Sequence, residues 1–534
     1  MMKRFSISAK IGANWKSGLT VALVSIPLAV SLAVASHTSP EVGILTAIWA
    51  GLMASLFGGS NYNVVGPTGA LSGLLAFQAI AHGAQCLPIL AMLSGIWIIV
   101  AFVLRLDRYL VFIPGSVLHG FILGVAAIII LNQINFACGL TVSAQHESLM
   151  RNVIESLQHL GETSILTVGF FGIALAVLFM FARFLPTMPG AIVLAPVGIG
   201  VGYLCSINWL PFSLQTLGMK FPSIEPVFFR LPAFHISHAF LVPSFTIAVV
   251  AILETMISAK IADGVTRTKH DKGREMLGLG IANVVTGLCG GIPATAALAR
   301  TSLNIKTGCN DKASATISSI CIGLISFLLL GYFKYIPLAV VSAILVFTSI
   351  KMVEAEHLVH MFRLDKRGFI IAMVVAAVTV CEDPIIGILL GTAVTMVMFM
   401  EKVSQGHYEL ITPQPVSLQG EVAVKPHPEI LIYSIKGYLA YINAQSHIAF
   451  FEQDLKNYHT VVLKLRDLYF IDLDGAQALS EIIEAIHAQG KTVAITGINA
   501  RVAGILYEDQ NIIQLKTDGL IFKEAAEALR FLDA

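Results

Sequence analysis

The sequence predicts an α-helical membrane protein, with 14 transmembrane segments in two inverted repeats of seven, followed by a small α/β domain. Three observations carry that prediction. The 534 residues have a mean hydropathy of +0.79, with 56% hydrophobic and only 13% charged residues. Lys and Arg concentrate in alternate loops. Two short apolar stretches interrupted by Gly and Pro recur at corresponding places in the two halves.

The first element begins after a basic stretch, Met1 to Lys16. The apolar run that follows continues as a full span with no small-residue cleavage site, so it reads as a membrane segment and not a cleavable signal peptide. Between Ser17 and Leu104 the only charged side chain is Glu41, far too few for a soluble domain of that length. At about 20 apolar residues per crossing helix, fourteen segments, two of them short, fit between roughly residues 17 and 401. With Lys3, Arg4, Lys10 and Lys16 inside, loops after even-numbered segments should be basic. They hold Arg105, Arg108, Arg183, Arg267, Lys269, Lys272, Arg274, Lys306, Lys312, Lys351, Arg363, Lys366 and Arg367, against Arg151, Lys220, Arg230 and Lys334 in the opposite loops. That bias places the N-terminus and the C-terminal domain in the cytoplasm, on an inner or plasma membrane.

The repeat appears at an offset of 226 residues, where Thr20, Ala22, Val24 and Ile26 fall on Thr246, Ala248, Val250 and Ile252, and Pro67 on Pro293. This register pairs segments 1 with 8 and 3 with 10. Seven spans per repeat would invert the second half. The interrupted stretches are Val65-Gly66-Pro67-Thr68-Gly69-Ala70-Leu71-Ser72 and Gly290-Gly291-Ile292-Pro293-Ala294-Thr295-Ala296-Ala297-Leu298-Ala299-Arg300. Broken helices at membrane depth are tolerated only against protein or a cavity, and paired breaks in two halves point to a transporter's binding site. If helices start near Pro67 and Pro293, their free N–H groups and positive dipole ends converge on one anion. Gly69, Ala70, Ala294 and Ala296 would let it reach the main chain, and the Thr68 and Thr295 hydroxyls would add donors. The competing reading is tight helix packing through small residues.

Two charges stand out inside apolar runs. Arg300 follows the uncharged run Met276–Ala299 and should face a cavity or a partner. We read it as attracting the anion; the alternative is snorkelling or structural pairing. Glu254 follows the uncharged run Leu231–Leu253, and a carboxyl group taken out of water there is a candidate proton carrier. Ser258, four residues on, shares its helix face.

After Met400 the composition changes. Residues 402–428 contain Pro413, Pro415, Pro426 and Pro428 and read as a linker, after which strand-like and helix-like runs alternate through 429–534. The seven Cys lie at or before Cys381 without CxxC spacing and read as small buried hydrophobes. His235-x-x-His238 and His357-x-x-His360 have metal-like spacing but no Cys partner nearby, and read as loop or interfacial histidines. The net charge of +1 implies no nucleic-acid partner. No P-loop, nucleophile elbow or zincin motif is visible, so neither ATP-driven transport nor hydrolysis is supported and the chain reads as no enzyme.

Along nearly its whole length the chain resembles the SulP (sulfate permease) family of anion transporters. The resemblance is carried by Ile26-Pro27-Leu28-Ala29, Gly66-Pro67-Thr68, Phe112 to Phe121 (FIPGSVLHGF), Leu253-Glu254 with Ala262-Asp263, and Ala299 to Asn304 (ARTSLN). Tyr469 to Gly475 (YFIDLDG) resembles the signature loop of a STAS domain. The resemblance implies core and gate domains, homodimers, substrate-facing positions at Leu28 and Ala29, and a cytoplasmic protein partner for the STAS domain. Bicarbonate members of the family hold sodium with an Asp and a Thr where this chain has Glu254 and Ser258, which favours protons over sodium as the coupling ion; no resident cofactor is implied. Many sulfate-type members carry Gln where this chain has Leu28, which weakens sulfate and leaves bicarbonate or a dicarboxylate. Soluble relatives carry a phosphorylatable Ser where this chain has Asp474. The function expected is proton-coupled anion transport by alternating access. The alternatives are sodium symport, anion exchange, an uncoupled channel, or a membrane-anchored signalling scaffold acting through the STAS domain.

Overall fold

In lipid an apolar run has only its own backbone to bond with, so it coils into helix. The computed structural model describes residues 7–108, 114–140, 149–185, 189–210, 212–222, 224–225, 227–232, 237–382, 384–405, 407–411, 429–451, 455 and 457–532. They form two compact units, Met1–Ala393 and Val394–Ala534.

Among the described residues of the chain, nine helices are long and apolar enough to cross a membrane, and Gly69–His82 and Ala191–Ser206 are shorter apolar helices. Lys272–Leu288, Leu298–Lys306 and Lys366–Cys381 lie where three further segments are expected. Helix Ile165–Phe184 shows how the outside is built: Ile165, Ile173 and Phe184 point away from the protein, an apolar surface suited to lipid.

Helix packing repeats between the halves. Ile7–Ala35 packs on Ala313–Leu329, and its counterpart Leu241–Thr266 packs on Leu87–Val103. Pro40–Phe57 likewise packs on Ala313–Leu329, and Lys272–Leu288 on Leu87–Val103. Gly115–Asn132 packs on Lys366–Cys381, as Leu338–Met352 does on Ile165–Phe184. Exchanging the halves maps each contact onto another. Some of these seams need bare backbone: a Cβ on Gly95 would lie 2.7 Å from the Gly280 carbonyl and 2.5 Å from the Val284 nitrogen. Where the halves meet, Val65–Gly66 pairs antiparallel with Thr295–Ala296. The chain therefore enters helices Gly69–His82 and Leu298–Lys306 in opposite directions, which is the inversion an odd-numbered repeat requires.

In the second unit a five-stranded sheet runs in the order Tyr408–Ile411, Ile430–Ile435, Thr460–Lys464, Thr492–Thr496, Ile521–Phe522. The first pairing is antiparallel and the others parallel. Strand Ile430–Ile435 is buried throughout because both its faces are covered. Leu431, Tyr433 and Ile435 pack with Leu479, Ile482 and Ile486 of helix Leu473–Ala488, while Ile430 and Ile432 pack with Ala528 and Leu529 of helix Ala525–Leu532. Strand Tyr408–Ile411 corrects part of the linker reading, since it lies inside 402–428 yet pairs with Ile430–Ile435 from Tyr408↔Ile435 to Ile411↔Ile432. Residues 412–428, which hold all four prolines of that reading, lie outside the described residues. In the signature loop Asp472 caps helix Leu473–Ala488 by accepting from Gly475 N–H at 2.8 Å. Asp474 stands exposed in the first turn.

The core of this unit carries one acid-sensitive contact. The Tyr433 hydroxyl lies 2.9 Å from Nδ1 of His447, and both side chains are fully buried. Burial, helped by His407, lowers His447 from 6.5 to about 4. The unfolded chain therefore protonates first as pH falls, and this contribution is complete above pH 6.5 and lost towards pH 4. We expect the second unit to lose up to about 3 kcal/mol over that window. Thermal unfolding of the full chain between neutral pH and pH 4 checks this, with His447→Leu expected to flatten the dependence.

Candidate anion site between the two interrupted helices

Each interrupted stretch reaches its helix through extended backbone. Thr68 (φ −130°, ψ 157°) precedes Gly69–His82, and Ala297 (φ −87°, ψ 123°) precedes Leu298–Lys306. Neither helix has a side-chain cap on its first-turn N–H groups. Two uncapped helix starts therefore flank one two-residue ladder, a favourable setting for negative charge.

The second helix begins at Leu298, five residues past Pro293, whereas Gly69 follows Pro67 by two. The register of 226 is thus three residues short at this point, because Thr68 and Ala297 are the equivalent caps. A proline anywhere ahead of a helix breaks the preceding span, so it does not mark the start. Residues 290–294 instead form irregular backbone bonded by side chains. Thr46 Oγ1 accepts from Ile292 N–H at 2.9 Å, Asn283 Oδ1 accepts from Ala294 N–H at 2.8 Å, and Asn283 Nδ2 donates to the Ala294 carbonyl at 2.9 Å. Asn283 thus stands in for a neighbouring strand, and Asn283→Ala would leave a buried donor and acceptor unpaired at a cost of about 1–3 kcal/mol each. A lower melting temperature of the detergent-solubilised protein checks this.

The expected donors of the second stretch are therefore placed differently. Thr295 donates its hydroxyl proton to the Ala251 carbonyl at 3.1 Å and meets Thr255 Oγ1 at 2.9 Å, while Ala296 N–H donates to Thr255 Oγ1 at 3.2 Å. Ala294, Thr295 and Ala296 are fully buried and fasten the ladder to helix Leu241–Thr266. The Thr295 hydroxyl and the Ala296 N–H are thus bonded within the protein, beside helix Leu241–Thr266.

The first stretch keeps its predicted residues at the helix start. Thr68 and Ala70 are buried, and a Cβ on Gly69 would lie 2.6 Å from Met352 Sδ and 3.3 Å from Ile129 Cδ1. Gly69 therefore makes room for Met352 at this point. On helix Ile7–Ala35, half-buried Leu28 packs against the Val21, Val24, Val64, Leu303 and Ala315 cluster, next to Pro27 inside the helix. Ala29 is fully buried, with its carbonyl against Gly43.

The two charges meet at Pro67 and Thr68. Glu254, halfway along helix Leu241–Thr266 and partly exposed, accepts from the Thr68 hydroxyl at 3.1 Å. Arg300 Nη2 donates to the Pro67 carbonyl, and Nη1 lies where a Cβ on Gly66 would stand. Arg300 is only 2% exposed, which removes the snorkelling alternative. It is the third residue of its helix, in the first turn, so its charge sits at the helix start itself. Ser258 does not join Glu254. Its hydroxyl is 3.0 Å from Asn63 Oδ1 and 3.0 Å from Thr301 Oγ1.

Sequence reasoning missed the supports. Buried Glu275 accepts from Gly59 N–H at 2.8 Å, Ser60 N–H at 2.7 Å and Asn63 Nδ2 at 2.6 Å, pinning the loop that enters the first stretch. It reads in sequence as an ordinary charge in a helix's first turn; only its place four residues after Asp271, at the edge of an apolar run, hinted otherwise.

Residues 13–375 match the Sulfate permease family. The chain belongs to that family. Sulfate permease membership makes it a multi-pass membrane anion transporter, and residues 421–528 match the STAS domain. The chain is similar to the putative sulfate transporter YvdB of Bacillus subtilis, 29% identical over 503 residues that cover 92% of each. It is also similar to the bicarbonate transporter BicA of Picosynechococcus, 25% identical over 414 residues, covering 72% of this chain and 70% of BicA. Its fold matches that of the murine solute carrier 26 family member A9 anion transporter in the inward-facing state, with a TM-score of 0.82 at 16% identity over 99% of this chain and 92% of the other. This sulfate permease homologue thus has the expected helical membrane fold with a C-terminal STAS domain.

Proposed function

We propose that this sulfate permease homologue is a proton-coupled secondary transporter of a small anion working by alternating access. The anion binds at the uncapped starts of Gly69–His82 and Leu298–Lys306, with Thr68, Gly69 and Ala70 on one side and Arg300 on the other. Leu28 and Ala29 supply an apolar wall, and Ala294, Thr295 and Ala296 hold the ladder in place. The observation that carries this reading is that adjacent residues, Pro67 and Thr68, join Arg300 to Glu254. Protonation of Glu254 and occupancy by an anion then act on the same two residues. A carboxylate at this depth is stable only with a partner. Anion and proton together leave a more nearly neutral site than either alone, and that is the requirement for moving across a low-dielectric barrier.

Ser258 supports protons over sodium, because its hydroxyl turns to Asn63 and Thr301 and leaves Glu254 without a second oxygen from that position. In the proposed topology the shorter helices complete fourteen crossings, and the N-terminus and STAS domain are cytoplasmic. The membrane is the cell's inner or plasma membrane, the protein forms homodimers, and a cytoplasmic protein can dock on the STAS domain. Leu28 favours bicarbonate or a dicarboxylate over sulfate, since it offers no donor.

Uptake of labelled sulfate, bicarbonate, succinate and fumarate into proteoliposomes, with pH and sodium gradients imposed separately, tests the reading. Uptake of one of them should rise with outside acidity and survive removal of sodium. Strict sodium dependence with Glu254 intact would refute proton coupling.

A further inference from the structure

His357 has a partner that its sequence spacing does not reveal. The spacing His357-x-x-His360 suggests a pair on one helix, but the ligand-bearing side chains gathered around His357 are His119 and Glu354. His119 is the fifth residue of helix Gly115–Asn132, Glu354 immediately precedes helix Ala355–Leu364, and His357 is the third residue of that helix. The imidazoles of His119 and His357 stack with centroids 4.1 Å apart at 28°. His119 Nδ1 lies 3.9 Å from Glu354 Oε2, and one ligand atom from each of the three residues lies within 4.8 Å of the others. One nitrogen from each imidazole and one carboxylate oxygen are thus gathered at a single point, an arrangement that a divalent cation can share.

We propose that His119, Glu354 and His357 bind a divalent transition-metal ion of the zinc type, clipping helix Ala355–Leu364 to the start of helix Gly115–Asn132. Two imidazole nitrogens and one carboxylate oxygen are borderline donors, suited to zinc, cobalt or nickel and unsuited to calcium or magnesium, which take oxygen sets. Zinc sits about 2 Å from each ligand, so the three atoms must close by roughly an ångström. The Glu354 side chain, 45% exposed, is free to swing that far, and His119, at 18%, is held by the helix. Three protein ligands leave a fourth position for water. The site shares no residue with Pro67, Thr68, Glu254 and Arg300, so it stands or falls independently of the transport reading.

Full-length protein in detergent, free of any histidine tag, is titrated with zinc chloride by calorimetry, and with cobalt while its visible absorption is recorded. One saturable zinc site per chain is expected, with a cobalt spectrum of low coordination number and a zinc-dependent rise in melting temperature. His119→Ala and His357→Ala should each weaken zinc binding by at least about tenfold, Glu354→Gln should also weaken it, and His360→Ala should bind like the parent. Each variant's metal-free melting temperature shows that it is folded; if His119→Ala is not, His357→Ala on the exposed helix carries the test. Absence of a saturable site overturns the proposal, as does zinc binding undiminished in His119→Ala and His357→Ala, or a preference for calcium or magnesium.

Discussion

Glu254→Gln will abolish proton-driven accumulation of the anion while leaving exchange of anion for anion intact. Gln keeps the shape of the protonated carboxyl and still accepts from the Thr68 hydroxyl, now at an amide oxygen in place of the carboxylate at 3.1 Å. What it cannot do is take up and release a proton. In proteoliposomes with an acidic exterior, the variant should equilibrate labelled anion and never concentrate it, and its uptake should no longer vary with pH. Parent-like accumulation in Glu254→Gln would remove this residue from the coupling step. Glu254→Asp keeps the proton but draws the carboxyl back by one methylene, so it should retain pH dependence at a reduced rate.

Arg300→Gln should weaken transport by raising the apparent KM about tenfold to a hundredfold, the range for losing one charge-assisted hydrogen bond. Two effects add in the same direction. The site loses the one cation at its helix starts among the described residues, and the Pro67 carbonyl loses its donor. Arg300→Lys separates the two effects. It restores the positive charge but not the planar fork that spans Gly66 and Pro67, so it should recover part of the KM and little of the thermal stability. Concentration dependence of initial uptake rates, with melting temperatures in parallel, checks both. An unchanged KM in Arg300→Gln would mean the guanidinium has a structural task only.

What could be read from the sequence follows from what membranes forbid. Glu254 and Arg300 stand out because a charge in an apolar run needs a reason, and both lie at the interrupted stretches. The breaks themselves stand out because Gly and Pro are conspicuous in such runs. The exact helix start does not, since Pro293 breaks a span without beginning the next one, and the uncapped turn lies at Leu298. Asn283, Thr255 and Asn63 were invisible for a different reason. Uncharged polar residues are common in membrane helices, and the backbone groups that Thr46 and Asn63 satisfy lie up to 246 residues away in sequence. In the second unit the apolar run Ile430–Ile435 announces a strand, but Tyr408–Ile411 is four residues at a sheet edge, with a proline-rich stretch following it. Asp472 and Asp474 are both plausible caps by spacing, and only the backbone angles of Asp472 select between them.

In the proposed cycle an anion and a proton cross together through a site held by Pro67 and Thr68. Its most direct test follows luminal pH with an entrapped dye while the non-permeant anion identified by the uptake panel is added to sodium-free proteoliposomes at zero initial gradient. The lumen should acidify as the anion enters through the parent protein, and no acidification should follow in Glu254→Gln. Anion entry with no change of luminal pH, or entry that begins only when sodium is supplied, would contradict it.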